Sequence, residues 1–474
     1  MRGFALFLIL ILVAGATAQS GRVVATDMPN QAGTQPVAPD RSVKDMFDET
    51  NGYIRAKGVE FDAKKIPFSD QLFAQAKLEQ RQLAAKYSAI AAGRNDLAGE
   101  DFYYLGMLHW IAENLDGTSE NLTKFISSEN APVGRSQTAR SIIVVVAAKQ
   151  NNLEDAEKML GQYLIKVPTK LTEVARMEGE LAKAYQAEKD FVSMAPHANA
   201  AYTASKGLLK DSASYARGLD EILDAGMLVY EAYRDGGNRQ KAEAALDDMR
   251  ATAVTTASPS FYYYAVDQKI KYLTETGRKP AALEFYQTSI ATTGKDFVNK
   301  GQQMDVLARL KKREKPYKLL GDAAPEIPMI DQWFPGKAAT LTDMKGKVVL
   351  LDFWATWCGP CFDAFPDLIE WHQDFAKDGL VILGVTRYYG REVGFADNMP
   401  GEIDMLKRFR TREKLPYDFV IGKDQSIQFL YGATALPTAV LIDRKGVIRY
   451  IESGTSPSRL EELRAMIVKL LAEK

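Results

Sequence analysis

The chain has 474 residues, of which 46% are apolar and 26% are charged, and these proportions are ordinary for a globular protein. The formal net charge is −1, so the composition gives no reason to expect nucleic acid or an anionic membrane surface as a partner. The length favours about two or three domains.

The first 18 residues have the order of a secretory signal peptide. Arg2 supplies the positive end, residues 4–13 are apolar, and residues 16–18 read Ala-Thr-Ala, the small-residue pattern of a cleavage site. We therefore expect cleavage after Ala18 and a periplasmic or secreted protein. An uncleaved membrane anchor is the weaker alternative, because the apolar stretch is shorter than the ~20 residues of a spanning helix.

Residues 19–40 predict a flexible leader, and residues 41–318 predict an all-α domain, because helical patterning and alanine dominate there. Ser258 and Pro259 have the pattern of an N-cap followed by the first helical residue. Similar polar joints recur at uneven intervals, near residues 151, 188, 236 and 276. This recurrence favours helix pairs loosely similar to tetratricopeptide repeats, with a single irregular bundle as the alternative.

The two cysteines of the chain stand together in the sequence Trp-Cys-Gly-Pro-Cys at residues 357–361. A disulfide here closes a minimal loop and contributes little stability. A structural zinc site needs four ligands, and the typical further partners are only His109, His197 and His372. We therefore predict no metal and a pair that alternates between dithiol and disulfide, which suits an oxidising compartment where spare thiols are liabilities.

The elements around the pair are also predictable. Residues 348–355 form an apolar run with one acid, which predicts a buried central strand. Pro360 then lies in the first turn of an amphipathic helix, where its missing N–H costs nothing. This order puts the sulfur of Cys358 at a helix N-terminus, where the dipole and free N–H groups favour a thiolate. Cys361, one turn further in, is expected to be more buried and to act second.

The remaining residues predict alternating strands and helices. A strand is expected at residues 381–386, a helix at 402–414, a short strand at 417–421, and a hairpin at 438–443 and 447–451, followed by a helix capped by Ser456. Residues 387–401, which include Tyr388 and Tyr389, predict an irregular loop that can face a substrate.

Residues 353–361, Phe-Trp-Ala-Thr-Trp-Cys-Gly-Pro-Cys, resemble the thioredoxin active site. The segments Gly-Asp-Ala-Ala-Pro-Glu at 321–326, Leu-Thr-Asp-Met-Lys-Gly-Lys at 341–347 and Leu-Pro-Thr at 436–438 extend the likeness to the exported TlpA/ResA-like branch of that superfamily. The resemblance covers residues 319–474. It implies an α/β thioredoxin-fold domain there, following the all-α helical-repeat or bundle region.

The resemblance implies a catalytic role for three side chains. Cys358 would attack a partner disulfide, and Cys361 would resolve the resulting mixed disulfide, so that the pair is a redox-active disulfide. Asp352 occupies the place of the buried acid that assists proton transfer at the second cysteine. Burial in an apolar strand should raise the pKa of this carboxyl and suit it to acid–base work near neutral pH. A core acid satisfied by local hydrogen bonds is the alternative.

The resemblance also implies a surface that holds the substrate chain. Leu436 and Pro437 match the cis-proline loop, whose backbone pairs with the substrate. Trp357 would flank the reactive sulfur as an apolar docking surface, beside Gly359 and Pro360.

One position departs from the family pattern. ResA-like proteins commonly carry a glutamate three residues after the second cysteine, and this chain has Ala364 there. It retains Asp352, as thioredoxin does, so the acid–base chemistry is expected to be thioredoxin-like. Asp363 is a weaker candidate for the missing acid, since a solvated helix position fits it better.

Together these features predict an exported thiol–disulfide oxidoreductase that reduces disulfides in client proteins and needs no cofactor. Gly-Pro between the cysteines favours a reducing potential of about −270 mV, and an external, membrane-bound donor would regenerate the dithiol. A helical binding scaffold with an accessory thioredoxin domain is one alternative. A thiol peroxidase is weaker, because Leu351 and Ala355 stand where peroxiredoxins place proline and threonine.

Overall fold

The computed structural model describes residues 41–390 and 399–473. The predicted signal peptide and leader, and most of the predicted loop after Tyr389, lie outside these residues. None of the helices in the described ranges combines the length and apolarity needed to cross a membrane. The described chain divides into two compact units, one ending at Glu113 and the other beginning at Asn114.

The first unit is helical. It contains α1 (Val43–Ala63), α2 (Asp70–Ala92) and α3 (Asp101–Ile111). Ser42 begins α1, because its side chain accepts a hydrogen bond from the N–H of Asp45. Met46, Tyr87 and Leu108 are buried in a core that all three helices share.

The second unit begins with a run of helices. They are α4 (Leu115–Ile126), α5 (Val133–Lys149), α6 (Leu153–Leu164), α7 (Leu171–Ala187), α8 (Phe191–Leu208), α9 (Tyr215–Asp235), α10 (Arg239–Thr255), α11 (Pro259–Glu275), α12 (Lys279–Asp296), α13 (Lys300–Lys312) and α14 (Glu314–Leu319). Most of them pack against their neighbours in the chain. The prediction of an all-α region ahead of the C-terminal domain is therefore confirmed.

Three of the turns between these helices share the same local structure. A residue with positive φ ends one helix, and an Asn or Asp that caps the next helix follows it at Asn151–Asn152, Lys189–Asp190 and Gly237–Asn238. Each cap accepts a backbone N–H that the helix itself leaves unpaired. These are three of the polar joints that the sequence indicates.

A mixed sheet follows the helices. Its strands are β1 (Ile330–Phe334), β2 (Val348–Phe353), β3 (Leu380–Arg387), β4 (Asp418–Gly422), β5 (Thr438–Ile442) and β6 (Ile448–Ser453), in the order β1-β4-β3-β2-β5-β6. Strands β2, β3 and β4 are parallel, and the other three pair antiparallel with their neighbours. The predicted α/β thioredoxin fold is therefore confirmed.

Helices cover both faces of this sheet. The helices of the domain are α15 (Gly359–Phe375), α16 (Met399–Arg412), α17 (Ser426–Tyr431) and α18 (Pro457–Ala472). Helices α15, α16 and α18 share one apolar cluster with Leu350 and Trp354, whereas α17 packs on the opposite face with Leu351 and Phe353. Every residue of β2 is buried, because successive side chains of a central strand point into alternate layers.

The helical run contacts the sheet at β6, which is the edge strand of the sheet. The guanidinium Nη1 of Arg313, between α13 and α14, donates to the carbonyl of Ile451 at 2.9 Å. The N–H of Gly321 donates to the carbonyl of Ile448 at 2.8 Å, and the N–H of Ile448 donates to Asp322 at 2.9 Å. These contacts satisfy part of an edge strand that would otherwise present unpaired backbone groups.

Candidate functional site

Strand β2 delivers the cysteine pair to the start of α15. Cys358 is the N-cap residue of this helix, with extended backbone, and Pro360 occupies its first turn. Cys358 and Cys361 form a disulfide with their Cα atoms 5.3 Å apart. Cys358 is 4% exposed and Cys361 is 1% exposed, so both sulfurs lie against the apolar layer under α15. A reduced Cys358 at this position would face the free N–H groups and positive dipole end of the helix.

Asp352 lies on the central strand β2 and is 5% exposed. Among the described residues its carboxyl has no hydrogen-bond partner, and the choice between a catalytic acid and a core acid stays a prediction. Burial raises its pKa to about 7, because the low-dielectric surroundings disfavour the carboxylate. A carboxyl with this pKa can both give and take a proton near neutral pH.

A small cavity connects Asp352 to the loop that holds the predicted cis-proline. The cavity has a volume of about 30 Å³, and Asp352, Ala364, Pro437 and Ala439 contribute to its wall. This volume is enough for a water molecule. The Leu436–Pro437 peptide bond is cis, and the Pro437 carbonyl accepts the N–H of Gly454 at 2.7 Å. Asp352 and Pro437 therefore line the same small cavity.

The surface beside the disulfide is aromatic. Trp357 is 57% exposed, and its ring contacts that of Tyr389 edge-to-face at 5.3 Å. The guanidinium of Arg387 lies 4.0 Å from the centre of the Tyr389 ring, and Gln428 donates to the Tyr389 hydroxyl at 3.1 Å. These contacts hold Tyr389 in place, so an indole and a phenol ring stand together beside Cys358.

The predicted loop at 387–401 is shorter than expected. Strand β3 continues to Arg387 and α16 begins at Met399. Tyr389 is held by Arg387 and Gln428, as described above, and by Glu402, whose carboxylate accepts its N–H at 2.7 Å. The sequence indicates a substrate-facing segment here, but not its contact with Trp357.

Ala364 of α15, which stands where ResA-like proteins commonly carry a glutamate, faces inward. Ala364 is buried and lines the Asp352 cavity, whereas Asp363 is exposed on the outer side of α15. Asp363 therefore does not replace the missing acid. Another carboxylate does reach this cavity: Glu452 of β6, together with Thr455 and Arg459. Nothing in the sequence singles out Glu452, because its partners lie far away in the chain.

His197 has structural surroundings. His197 lies between two carboxylates, with Nδ1 2.6 Å from Glu178 and Nε2 2.7 Å from Glu157, and its ring stacks on Tyr185. Within the described residues there is no group of three or more His, Cys, Asp or Glu side chains arranged to hold a metal ion.

Part of the chain is similar in sequence to known proteins. The sequence profile of the AhpC/TSA family matches residues 320–451. Over 143 residues the chain is 33% identical to the thiol-disulfide oxidoreductase ResA of Geobacillus thermodenitrificans, which covers 30% of this chain and 74% of that protein. Over 135 residues it is 32% identical to the thioredoxin-like protein YneN of Bacillus subtilis, which covers 28% of this chain and 72% of that protein.

A solved structure is also similar to part of the chain. A protein described as a thiol:disulfide interchange protein DsbE of Chlorobium tepidum is 27% identical, with a TM-score of 0.27. The match covers 32% of this chain and 96% of that one. The family profile lies within the sheet domain, and each relative named here covers about a third of the chain or less.

Proposed function

Because the chain belongs to the ResA family of thiol-disulfide oxidoreductases in the thioredoxin superfamily, we propose that its Cys358–Cys361 pair reduces disulfides in exported client proteins. One observation carries this proposal: a disulfide lies at the N-terminus of α15, with a buried acid of raised pKa on the strand behind it. This arrangement supports a thiolate at the first cysteine and a proton acceptor for the second.

In the proposed cycle the reduced enzyme acts first through Cys358. Its thiolate attacks one sulfur of the client disulfide, a new S–S bond forms, and the other client sulfur leaves as a thiolate. Asp352 as carboxylate then takes the proton of the Cys361 thiol. The Cys361 thiolate attacks the Cys358 sulfur, the second client sulfur is released, and the enzyme disulfide is restored. Two electrons have then passed to the client, whose two thiolates take one proton from Asp352 and one from solvent, and an external donor must return the two electrons to the enzyme.

The aromatic surface suits the client side of this reaction. Trp357 and Tyr389 offer apolar area beside Cys358. By the family resemblance, the backbone at Leu436 and the cis Pro437 would pair with an extended client chain. A protein substrate is favoured over a small thiol, because a small thiol would leave this surface unused.

Two parts of the proposal rest on the sequence. The N-terminal 18 residues support export to a periplasmic or secreted location, and the Gly-Pro pair between the cysteines supports the reducing direction. The donor would then be a membrane-bound protein that carries electrons to this compartment. The peroxidase alternative gains no support from the site, since Leu351, the position of the peroxiredoxin proline, is buried on the opposite face of β2.

The mechanism is tested with the full mature chain and serine variants. In an insulin-reduction assay with dithiothreitol as the donor, Cys358→Ser should abolish turnover, because no nucleophile remains to form the mixed disulfide. Cys361→Ser should also stop turnover, and when this variant is reduced, freed of dithiothreitol and then mixed with insulin, it should accumulate a covalent enzyme–substrate disulfide, visible by non-reducing electrophoresis. Absence of a trapped species in Cys361→Ser, or turnover by Cys358→Ser, would contradict the proposed order of attack.

A further inference from the structure

A buried carboxylate on β6 is held by cations from two different parts of the second unit. Glu452 is 4% exposed. Its Oε1 accepts from Lys271 of α11 at 2.6 Å and from Arg313 at 2.8 Å. Its Oε2 accepts from Arg459 of α18 at 2.7 Å. A carboxylate buried to this degree is stable only with such partners, and two of them come from the helical run.

The helical cations are themselves held in place. Asp267 of α11 accepts from Arg313 at 3.3 Å, from Lys271 at 2.9 Å and from the Tyr317 hydroxyl at 2.7 Å. Since Asp267 is also buried, Arg313 and Lys271 bridge two enclosed carboxylates. The orientation of the Glu452 side chain is therefore fixed from the helical side.

Strand register places Glu452 in line with Asp352. Asp352 pairs with Ala439 across β2 and β5, and Ala439 pairs with Glu452 across β5 and β6. Residues aligned across neighbouring strands point to the same face of a sheet. With strands about 4.8 Å apart, the two acids are roughly 10 Å apart in the sheet.

Only the methyl group of Ala439 stands between the two acids in this row. The cavity of about 30 Å³ occupies the gap, and both Asp352 and Glu452 contribute to its wall. The Thr455 hydroxyl, which also lines it, is buried and has no hydrogen-bond partner among the described residues. Two acids and an unpaired hydroxyl thus face one space that can hold water.

We propose that Glu452 is a positioning residue for the acid–base step, and that Arg313 and Lys271 set how strongly its negative charge acts on Asp352. The inference rests on the proposed function, because it concerns the same redox centre. It assigns a task to the helical run: α11 and the α13–α14 joint supply the charges that complete the surroundings of the catalytic acid.

The groups around the two acids determine the sign of the effect. Glu452 faces Lys271, Arg313 and Arg459, with Asp267, Tyr317 and Glu462 next to these cations. Tyr417 lies near Asp352. With Gln at 452 the three cations lose their partner, so they should favour the Asp352 carboxylate and lower its pKa. Loss of Lys271 or Arg313 leaves the negative charge of Glu452 less compensated, and this should raise the pKa of Asp352.

The expected shift in the pKa of Asp352 is large enough to measure. A unit charge roughly 10 Å away at an effective dielectric constant of about 20 shifts a pKa by about one unit. The reduced full-length protein is mixed with insulin, and the single-turnover rate is followed from about pH 5.5 to 9. The wild-type rate should rise with pH around the Asp352 pKa of about 7. Glu452→Gln should move this rise about one unit lower, and Arg313→Met or Lys271→Met about one unit higher.

Three further variants make the result specific. Asp352→Asn should remove the rise of the single-turnover rate with pH, and this would assign the rise to the Asp352 carboxyl. Arg313→Lys keeps the charge and should leave the rise near the wild-type position. Arg449→Met removes another ion-paired arginine of β6, which is bound to Asp443 and Glu473 outside the cavity. This variant should leave the pH of the rise in rate unchanged.

The outcomes separate the two proposals. If Glu452→Gln, Arg313→Met and Lys271→Met all reduce insulin with the wild-type pH profile while Asp352→Asn removes the rise, Glu452 has no such role, although the proposed function stands. If neither the wild type nor any variant reduces insulin, the proposed function is wrong. Since Glu452→Gln and the two cation variants should shift the profile in opposite directions, misfolding of one variant leaves the others to decide.

Discussion

At the scale of the residue, Asp352 combines useful chemistry with a cost in stability. Its pKa is 3.8 in an unpaired reference state and about 7 in the folded protein, because burial disfavours the charge. Below about pH 4 both states hold the proton and burial costs nothing extra. As pH rises from about 4 to 7 the unfolded chain loses the proton first, so folding becomes less favourable, and above pH 7 the full penalty remains.

Asp352→Asn should therefore stabilise the protein at pH 8 and have little effect near pH 4. A shift from 3.8 to about 7 corresponds to an upper estimate of about 4 kcal/mol at pH 8. The measurement is urea unfolding of both proteins at the two pH values. Asp363→Asn, at an exposed position of α15, is the matched control and should change stability little at either pH. An Asp352→Asn effect of equal size at both pH values would mean that desolvation of the charge is not its cause.

At the scale of the element, local sequence signals identify the structure well where pattern and position agree. The apolar run at 348–355 becomes β2, Pro360 lies in the first turn of α15, and the predicted hairpin becomes β5 and β6. Strand β1 has no such signal. Its five residues are all half-buried, and its strand character comes from antiparallel pairing with β4, more than 80 residues later. Pairing partners at that distance cannot be read from a local window.

The caps of the helical run give a prediction at this scale. The Asn238 side chain accepts the N–H of Lys241 at 3.1 Å and so begins α10. Asn238→Ala leaves that N–H without a protein partner and should lower the free energy of unfolding by about 1 kcal/mol. Asn238→Ser keeps an oxygen acceptor and should cost much less. Thermal unfolding followed by circular dichroism compares the two, and equal losses would show that the cap hydrogen bond contributes nothing measurable.

At the scale of the whole molecule, the sequence separates a helical part from a sheet part but gives no indication of how they are connected. The basic residues near 311–315 predict a solvated helix end, yet Arg313 is buried and reaches Ile451 and Glu452, which lie about 140 positions further along. One charged residue in a basic run is indistinguishable from its neighbours until the fold brings its partners together. The domain boundary predicted at 318–319 stays a prediction, since helices and sheet share one compact unit here.

Removing Arg313 should therefore destabilise the connection between helices and sheet. Arg313→Met leaves Asp267 and Glu452 buried with less compensation, and loss of one partner from such a network costs about 3–5 kcal/mol. Arg309→Met on α13 is the control, because its pair with Asp305 is exposed and worth at most about 0.5 kcal/mol.

Urea unfolding of both variants, followed by helix circular dichroism and by tryptophan fluorescence, measures this difference. Four of the five tryptophans, Trp333, Trp354, Trp357 and Trp371, lie in the sheet domain, so fluorescence is weighted towards the sheet and circular dichroism towards the helices. If the network couples the two parts, Arg313→Met should lower both transitions, whereas Arg309→Met should lower neither appreciably. A loss in one signal alone would mean that Arg313 stabilises only its own side of the junction, and the helical run would then be a separate folding unit from the redox domain.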